Sequence, residues 1–165
     1  MQKSVIKTAR GFTLIEILVV IGLIAILAAI VLIAINPARQ FAQGRDAQRT
    51  SNLNAVLNAV GQRLADNKGT FAGTFTINAV VYTCPTLPAA ATVIDNAPAG
   101  AGVDLSCLVP TYIPALPSDP KAPVGIPTEY LIYQEAATGR IHVLTTTPGN
   151  DEPSIPRVGA IQIVR

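Results

Sequence analysis

Glu16 is the one ionisable side chain between Phe12 and Ile35, a run of 24 residues. The chain reads Gly11-Phe12-Thr13-Leu14-Ile15-Glu16 at this point, and from Ile17 to Ile35 no side chain is polar. A carboxylate in an apolar helix costs on the order of 2–4 kcal/mol according to depth, so its natural chemistry is to pair with a cation. The apolar run offers none, and the partner is expected from another molecule or from a newly made chain end. A second pair with chemistry is Cys84 and Cys107. In an exported domain they are expected to form a disulfide; on a reducing side they would remain two thiols. Closing a loop of that length stabilises a fold by about 3 kcal/mol in the chain-entropy picture. The single histidine, His142, falls in a strand pattern and reads as a strand-face residue. The sequence contains no glycine-rich phosphate loop, nucleophile elbow or metal-ligand spacing, so no catalytic set is assigned and the chain is not read as an enzyme.

The apolar run must be a helix if it is to carry Glu16 across a membrane. At about 1.5 Å per residue it reaches roughly 36 Å, enough for a hydrocarbon core of about 30 Å. It is longer than the apolar region of a secretory signal peptide. A plain anchor would fit the length but gives no reason for Glu16. Positive charge does not orient the segment, because Lys3, Lys7 and Arg10 precede it and Arg39, Arg45 and Arg49 follow.

The basic leader, the Gly-Phe-Thr-Leu-Ile-Glu junction and the long apolar helix together resemble the class III signal of type IV pilins and type II secretion pseudopilins. The resemblance implies that a prepilin peptidase cuts between Gly11 and Phe12 and methylates the new N-terminus on Phe12. Glu16 of one subunit would then meet the Phe12 ammonium of a neighbour. It also implies the other partners: copies of the chain and other pilins in a filament, an inner-membrane assembly platform and the lipid bilayer. The N-terminus would be cytoplasmic before assembly, and the filament periplasmic or extracellular after it. Losing Lys3, Lys7 and Arg10 changes the formal side-chain charge from +2 to −1, with nine basic residues left against ten acidic.

Past the anchor, Asn36-Pro37 is expected to kink or break the helix, with Gly22 a second weak point. Leu53, Val56, Leu57, Val60 and Leu64 then form one helical stripe. Arg45, Asp46, Arg49, Asn52, Asn54 and Arg63 are assigned to the other, polar faces. Gly69 is the expected C-terminal cap. Twelve of the 13 prolines lie at or beyond Pro85, which excludes long helices there. Thr74–Thr83 reads as a strand, Leu87–Ala101 as irregular, and Glu129–Gln134, Arg140–Thr146 and Ala160–Val164 as strands, the first two forming a hairpin.

The expected fold is α+β. Residues 1–11 form a leader that is removed, residues 12–35 a transmembrane and assembly helix, residues 36–68 its amphipathic second half. Residues 69–165 form a β-rich head whose small antiparallel sheet packs on the Leu53–Leu64 stripe, as in the type IV pilin fold.

Tyr112 and Leu116-Pro117-Ser118-Asp119-Pro120, followed by Tyr130-Leu131-Ile132-Tyr133, look like a connector of major pseudopilins, although Lys121 stands where an aromatic residue is common. In those proteins a loop after the final hairpin binds calcium. Here Asn150, Asp151 and Glu152 offer suitable oxygen ligands. The turn is shortened and interrupted by Pro153 and Pro156, so it reads better as a solvated acidic turn, with no cofactor assigned and Ca²⁺ as the alternative.

From Gly69 onward four basic residues face seven acidic ones, a poor balance for wrapping nucleic acid. The cations of the stalk, Arg39, Arg45, Arg49, Arg63 and Lys68, are assigned to headgroup contact or to pairing between subunits. The function expected is that of a structural subunit of a type IV pilus or pseudopilus, serving adhesion, motility, DNA uptake or protein secretion. The alternative is a membrane-anchored, exported binding module that does not polymerise.

Overall fold

The computed structural model describes residues 11–95, 102–122, 128–146 and 162–165. The chain divides into two compact units, residues 1–40 and residues 41–165.

In the first unit, helix α1 (Leu14–Ile35) starts at Thr13, whose backbone is extended, and runs through Gly22 without a break. None of its residues is buried. Its stop has a local cause in Asn36, which adopts the left-handed conformation at φ 46° and ψ 80°. Asparagine visits that region more readily than most residues. The same Asn36 opens helix α2 (Pro37–Asp66), its Oδ1 accepting from the Arg39 backbone N–H at 3.4 Å. Pro37 occupies the first turn, where its missing N–H leaves nothing unpaired. The break expected at Asn36-Pro37 is therefore a back-to-back cap.

In the second unit, α2 buries Ala42, Asp46, Arg49, Leu53, Val56, Val60 and Arg63, at alternating spacings of four and three, together with Leu57 and Ala59. The apolar part is the expected stripe, with Leu64 packed partly against it. The polar part corrects the sequence reading: Asp46, Arg49 and Arg63 are on the buried face, not on solvated ones. The helix ends with Lys68 and Gly69 both at positive φ, and the Gly69 N–H donates to the Leu64 carbonyl at 2.8 Å, so glycine caps it as expected.

Residues 74–83, expected as one strand, fold back on themselves. Strands β1 (Gly73–Ile77) and β2 (Val80–Cys84) pair antiparallel in a separate two-stranded sheet. Asn78 and Ala79 turn the chain at φ 50° and 65°, the signs of a type I′ hairpin turn. With alanine where glycine is usual, the turn is poorly marked in the sequence.

The main sheet has the order β4-β3-β5-β6-β7. Strand β3 (Thr92–Asp95) lies in the stretch read as irregular, where its Thr-Val-Ile run is obscured by flanking alanines and prolines. Strands β5 (Tyr130–Gln134) and β6 (Ile141–Thr145) form the expected hairpin, and β7 (Gln162–Val164) adds to it. All pairs are antiparallel except the short edge pair of β3 with β4 (Val103–Asp104). Gly102 allows that pair to close, since a Cβ there would lie 2.4 Å from the Val93 carbonyl oxygen. The inward residues of the hairpin, Tyr130, Ile132, Ile141 and Val143, share one core with Leu53, Val56, Leu57 and Val60 of α2. At roughly 1.5–3 kcal/mol per large apolar side chain, this burial holds the sheet on the helix.

Candidate functional site

The N-terminal constellation is built on the first turn of α1. Thr13 caps the helix, its Oγ1 accepting from the Glu16 N–H at 3.3 Å, while Glu16 Oε2 accepts from the Thr13 N–H at 3.4 Å and lies 3.5 Å from its hydroxyl. This reciprocal pair is a capping box. Glu16 thus has a local partner at the margin of the apolar run, which the sequence reading did not identify. The signal was there, because Thr-x-x-Glu before an apolar stretch is the pattern of such a box. Phe12, directly before the cap, is 81% exposed. At Gly11 an added Cβ would meet no described atom within 4 Å. Every large apolar residue of α1 is exposed, along 22 residues or about 33 Å of helix. By length and composition this helix can cross a membrane.

A second constellation lies in the head. Arg49, with no exposed surface, donates from Nε to Asp119 Oδ2 at 2.5 Å, from Nη2 to Asp119 Oδ1 at 2.9 Å and from Nη1 to Asp46 Oδ1 at 3.1 Å. The fork on Asp119 is bidentate, the strongest geometry for such a pair. It ties α2 to the Leu116–Pro120 connector. Beside it the Asn52 side-chain amide donates to the Tyr130 hydroxyl at 2.9 Å and to the Ser118 carbonyl at 3.1 Å. Burial works against the Asp119 carboxylate, but the hydrogen bonds from Arg49 and from the Lys121 N–H, with the two positive charges, outweigh it and hold its pKa below the ordinary 3.8. The sequence reading gave Arg49 to headgroups or neighbouring subunits, and the structure corrects this to an intramolecular role.

Arg63 is likewise internal. Its guanidinium carbon sits 4.6 Å from the centre of the Phe75 ring, and Nη2 lies 3.5 Å from the Gly73 carbonyl. Burial and a hydrogen bond to Asp66 push Tyr112 above its ordinary pKa of 10.0, with Arg63 acting in the opposite sense. Cys84 and Cys107 form the expected disulfide, with Cα atoms 5.4 Å apart, joining β2 to a short 3₁₀ helix at Ser106–Leu108. His142 takes its strand-face position in β6, stacked on Tyr133 at 4.4 Å and with Nδ1 2.5 Å from the Gln162 amide. The calcium candidates Asn150, Asp151 and Glu152 lie outside the described residues. Among the described residues, no three His, Cys, Asp or Glu side chains converge as a metal site.

A family model described as the prokaryotic N-terminal methylation motif matches residues 6–32. Those residues hold Gly11, Phe12, the capping box and all but the last three residues of α1. The chain carries the class III signal of type IV pilins and pseudopilins. No curated protein and no solved structure matches the chain. The signal supports a pilin-like prepilin, implies processing by a prepilin peptidase and association with other pilins, and suggests a structural protein. With the apolar helix it fits membrane anchoring, and the long helix with a small sheet is consistent with the type IV pilin fold.

Proposed function

We propose that this prepilin is a structural filament subunit, cut after Gly11, methylated on the Phe12 amine and polymerised through residues 12–35 into a type IV pilus or pseudopilus. Residues 1–11 are the discarded leader, residues 36–68 the second half of the stalk and residues 69–165 the head. Before assembly the chain spans the inner membrane with its N-terminus in the cytoplasm and meets the assembly platform there; afterwards it stands in a periplasmic or extracellular fibre.

The observation that carries this reading is the methylation motif on a helix whose large apolar side chains are all exposed. An anchor alone needs no methylation signal and no acid near its end. The glycine at the proposed cut meets no described atom that would require it, in keeping with a peptidase as the agent that selects it. Cleavage removes three cations and creates an ammonium on Phe12. Glu16 is the acid placed to receive that group from a neighbour, since its capping bonds occupy only Oε2 among the described contacts. In low dielectric such a pair recovers its desolvation cost only with good geometry, and losing one partner costs about 3–5 kcal/mol. Uncut chains lack the amine, so processing acts as the switch from membrane storage to assembly.

Intact-mass analysis of purified surface fibres tests this. Fibres whose subunit begins at methylated Phe12 are expected. A chain that still begins at Met1, found only in membranes, would instead establish the anchored module that does not polymerise.

A further inference from the structure

We propose that the first turns of α2, at Arg39 and Phe41, form a collar that binds anionic phospholipid headgroups in the leaflet where the chain leaves the membrane. The inference rests on the membrane-spanning part of the reading above and names the partner of this stretch before assembly.

Chain length places the collar. Helix α1 supplies about 33 Å, enough for a hydrocarbon core of about 30 Å, and the headgroup layer adds roughly 5–7 Å on each side. Pro37 to Phe41, the start of α2, extend about 7 Å along the helix. All of them are exposed, and the first buried position of α2 is Ala42.

The chemistry of the stretch matches that layer. After Glu16 the next charged side chain is Arg39, and the next acidic one is Asp46. Arg39 is exposed, and its guanidinium is paired with no described residue. Arg45, the other cation before Asp46, is half-buried and already engaged. Phe12 and Phe41 are the exposed aromatic residues among those described, one before α1 and one after it, and Phe41 is 68% exposed. A ring sheds water at the boundary between headgroups and acyl chains. There an arginine lays its methylene stem on hydrocarbon and keeps its guanidinium among the phosphates. Positions 39 and 41 do not share a helix face. That suits a helix with lipid around it rather than one docked in a single groove.

The anion cannot come from a copy standing beside this one. Neighbours in the same membrane present the same residues at the same depth, and from Ile17 to Arg45 those include no carboxylate. Asp46, the first beyond them, is buried. The negative charge at the level of Arg39 is therefore that of the lipid. One basic side chain at the surface favours an anionic headgroup over a zwitterionic one by about fivefold.

The test uses the full-length chain, which contains no tryptophan, carrying Phe41→Trp. It is reconstituted into bilayers of phosphatidylcholine and phosphatidylglycerol in which one lipid or the other bears bromine high on its acyl chains. Bromine quenches indole fluorescence only on near contact, so the ratio of quenching by the two lipids reports which headgroup is enriched at position 41. Enrichment of phosphatidylglycerol by about fivefold is expected at low salt, fading at about 1 M salt, where charges are screened within roughly 3 Å. Arg39→Gln in the same background is expected to bring the ratio to one. An indole has its own liking for the interface but does not tell the two headgroups apart, so the Arg39→Gln comparison isolates the cation. Equal quenching by the two lipids, or a preference that survives Arg39→Gln, overturns the proposal. So does an indole that neither lipid quenches. A second chain, Ile26→Trp, with bromine near the acyl-chain ends, separates the two readings. Quenching there without quenching at position 41 sinks the collar alone. No quenching at either position sinks the membrane-spanning reading and the collar with it.

Discussion

Arg49 is enclosed by two carboxylates and holds the Pro-rich connector to the helix behind it. Its worth lies in the cost of breaking the set rather than in the net strength of the pair. Removing Asp119 takes away the bidentate partner and leaves only Asp46 to compensate the buried charge, a loss of up to about 3–5 kcal/mol. Asp119→Ala is therefore expected to lower the unfolding free energy of the full chain in detergent by about that amount, read from a urea titration followed by circular dichroism. The same carboxylate sets an acid limit. Its pKa is depressed in the folded chain, so its contribution is fully present above the ordinary 3.8 and is lost as pH falls through the lower folded value. Melting temperature is expected to drop on acidification below about pH 4, and Asp119→Asn is expected to show less of that drop. Arg49 is in step with the apolar stripe, four residues before Leu53, as Arg63 is three after Val60. That phase was legible. The partner was not, since Asp119 is 70 residues away in sequence.

At the scale of elements, the turns carry the local strain. Ala79 holds a left-handed conformation at φ 65°, which costs an L-residue about 1–2 kcal/mol relative to glycine, offset in part by glycine's greater unfolded freedom. Ala79→Gly is expected to stabilise the head by about 0.5–1 kcal/mol, measurable as a rise in the urea midpoint with unchanged slope. Gly102 is the opposite case. A methyl group there meets the β3 backbone, so Gly102→Ala is expected to cost about 1–3 kcal/mol and to loosen the β3–β4 pair, seen as faster amide exchange at Asp95 and Leu105. The helices and the β5–β6 hairpin were legible because their periodicities are strong. The β1–β2 turn and β3 were not, because alanine in place of glycine and a four-residue strand among alanines and prolines leave little local signal.

At the scale of the whole molecule, the β1–β2 hairpin shares no strand pairing with the main sheet among the described residues, and one of its ties is the disulfide across 23 residues. Reduction with a thiol reagent is expected to lower stability by about 3 kcal/mol, and a Cys84→Ser/Cys107→Ser chain should show the same loss and no response to reductant. At the other end, Glu16→Gln is expected to leave membrane insertion intact and to reduce incorporation into fibres, checked by comparing membrane and fibre fractions of the processed chain. The sequence by itself determined the N-terminal methylation motif, the long apolar helix, the break at Asn36-Pro37 and the apolar stripe, since each is written in residues only a few positions apart. Tertiary structure alone decided that Arg49 and Arg63 turn inward, that Asp119 answers Arg49, and that Ile77, Val80 and Val81 are left uncovered. Those outcomes depend on which distant segments arrive at the same place, and pairings of that kind are set by the packing of the whole head rather than by any local pattern.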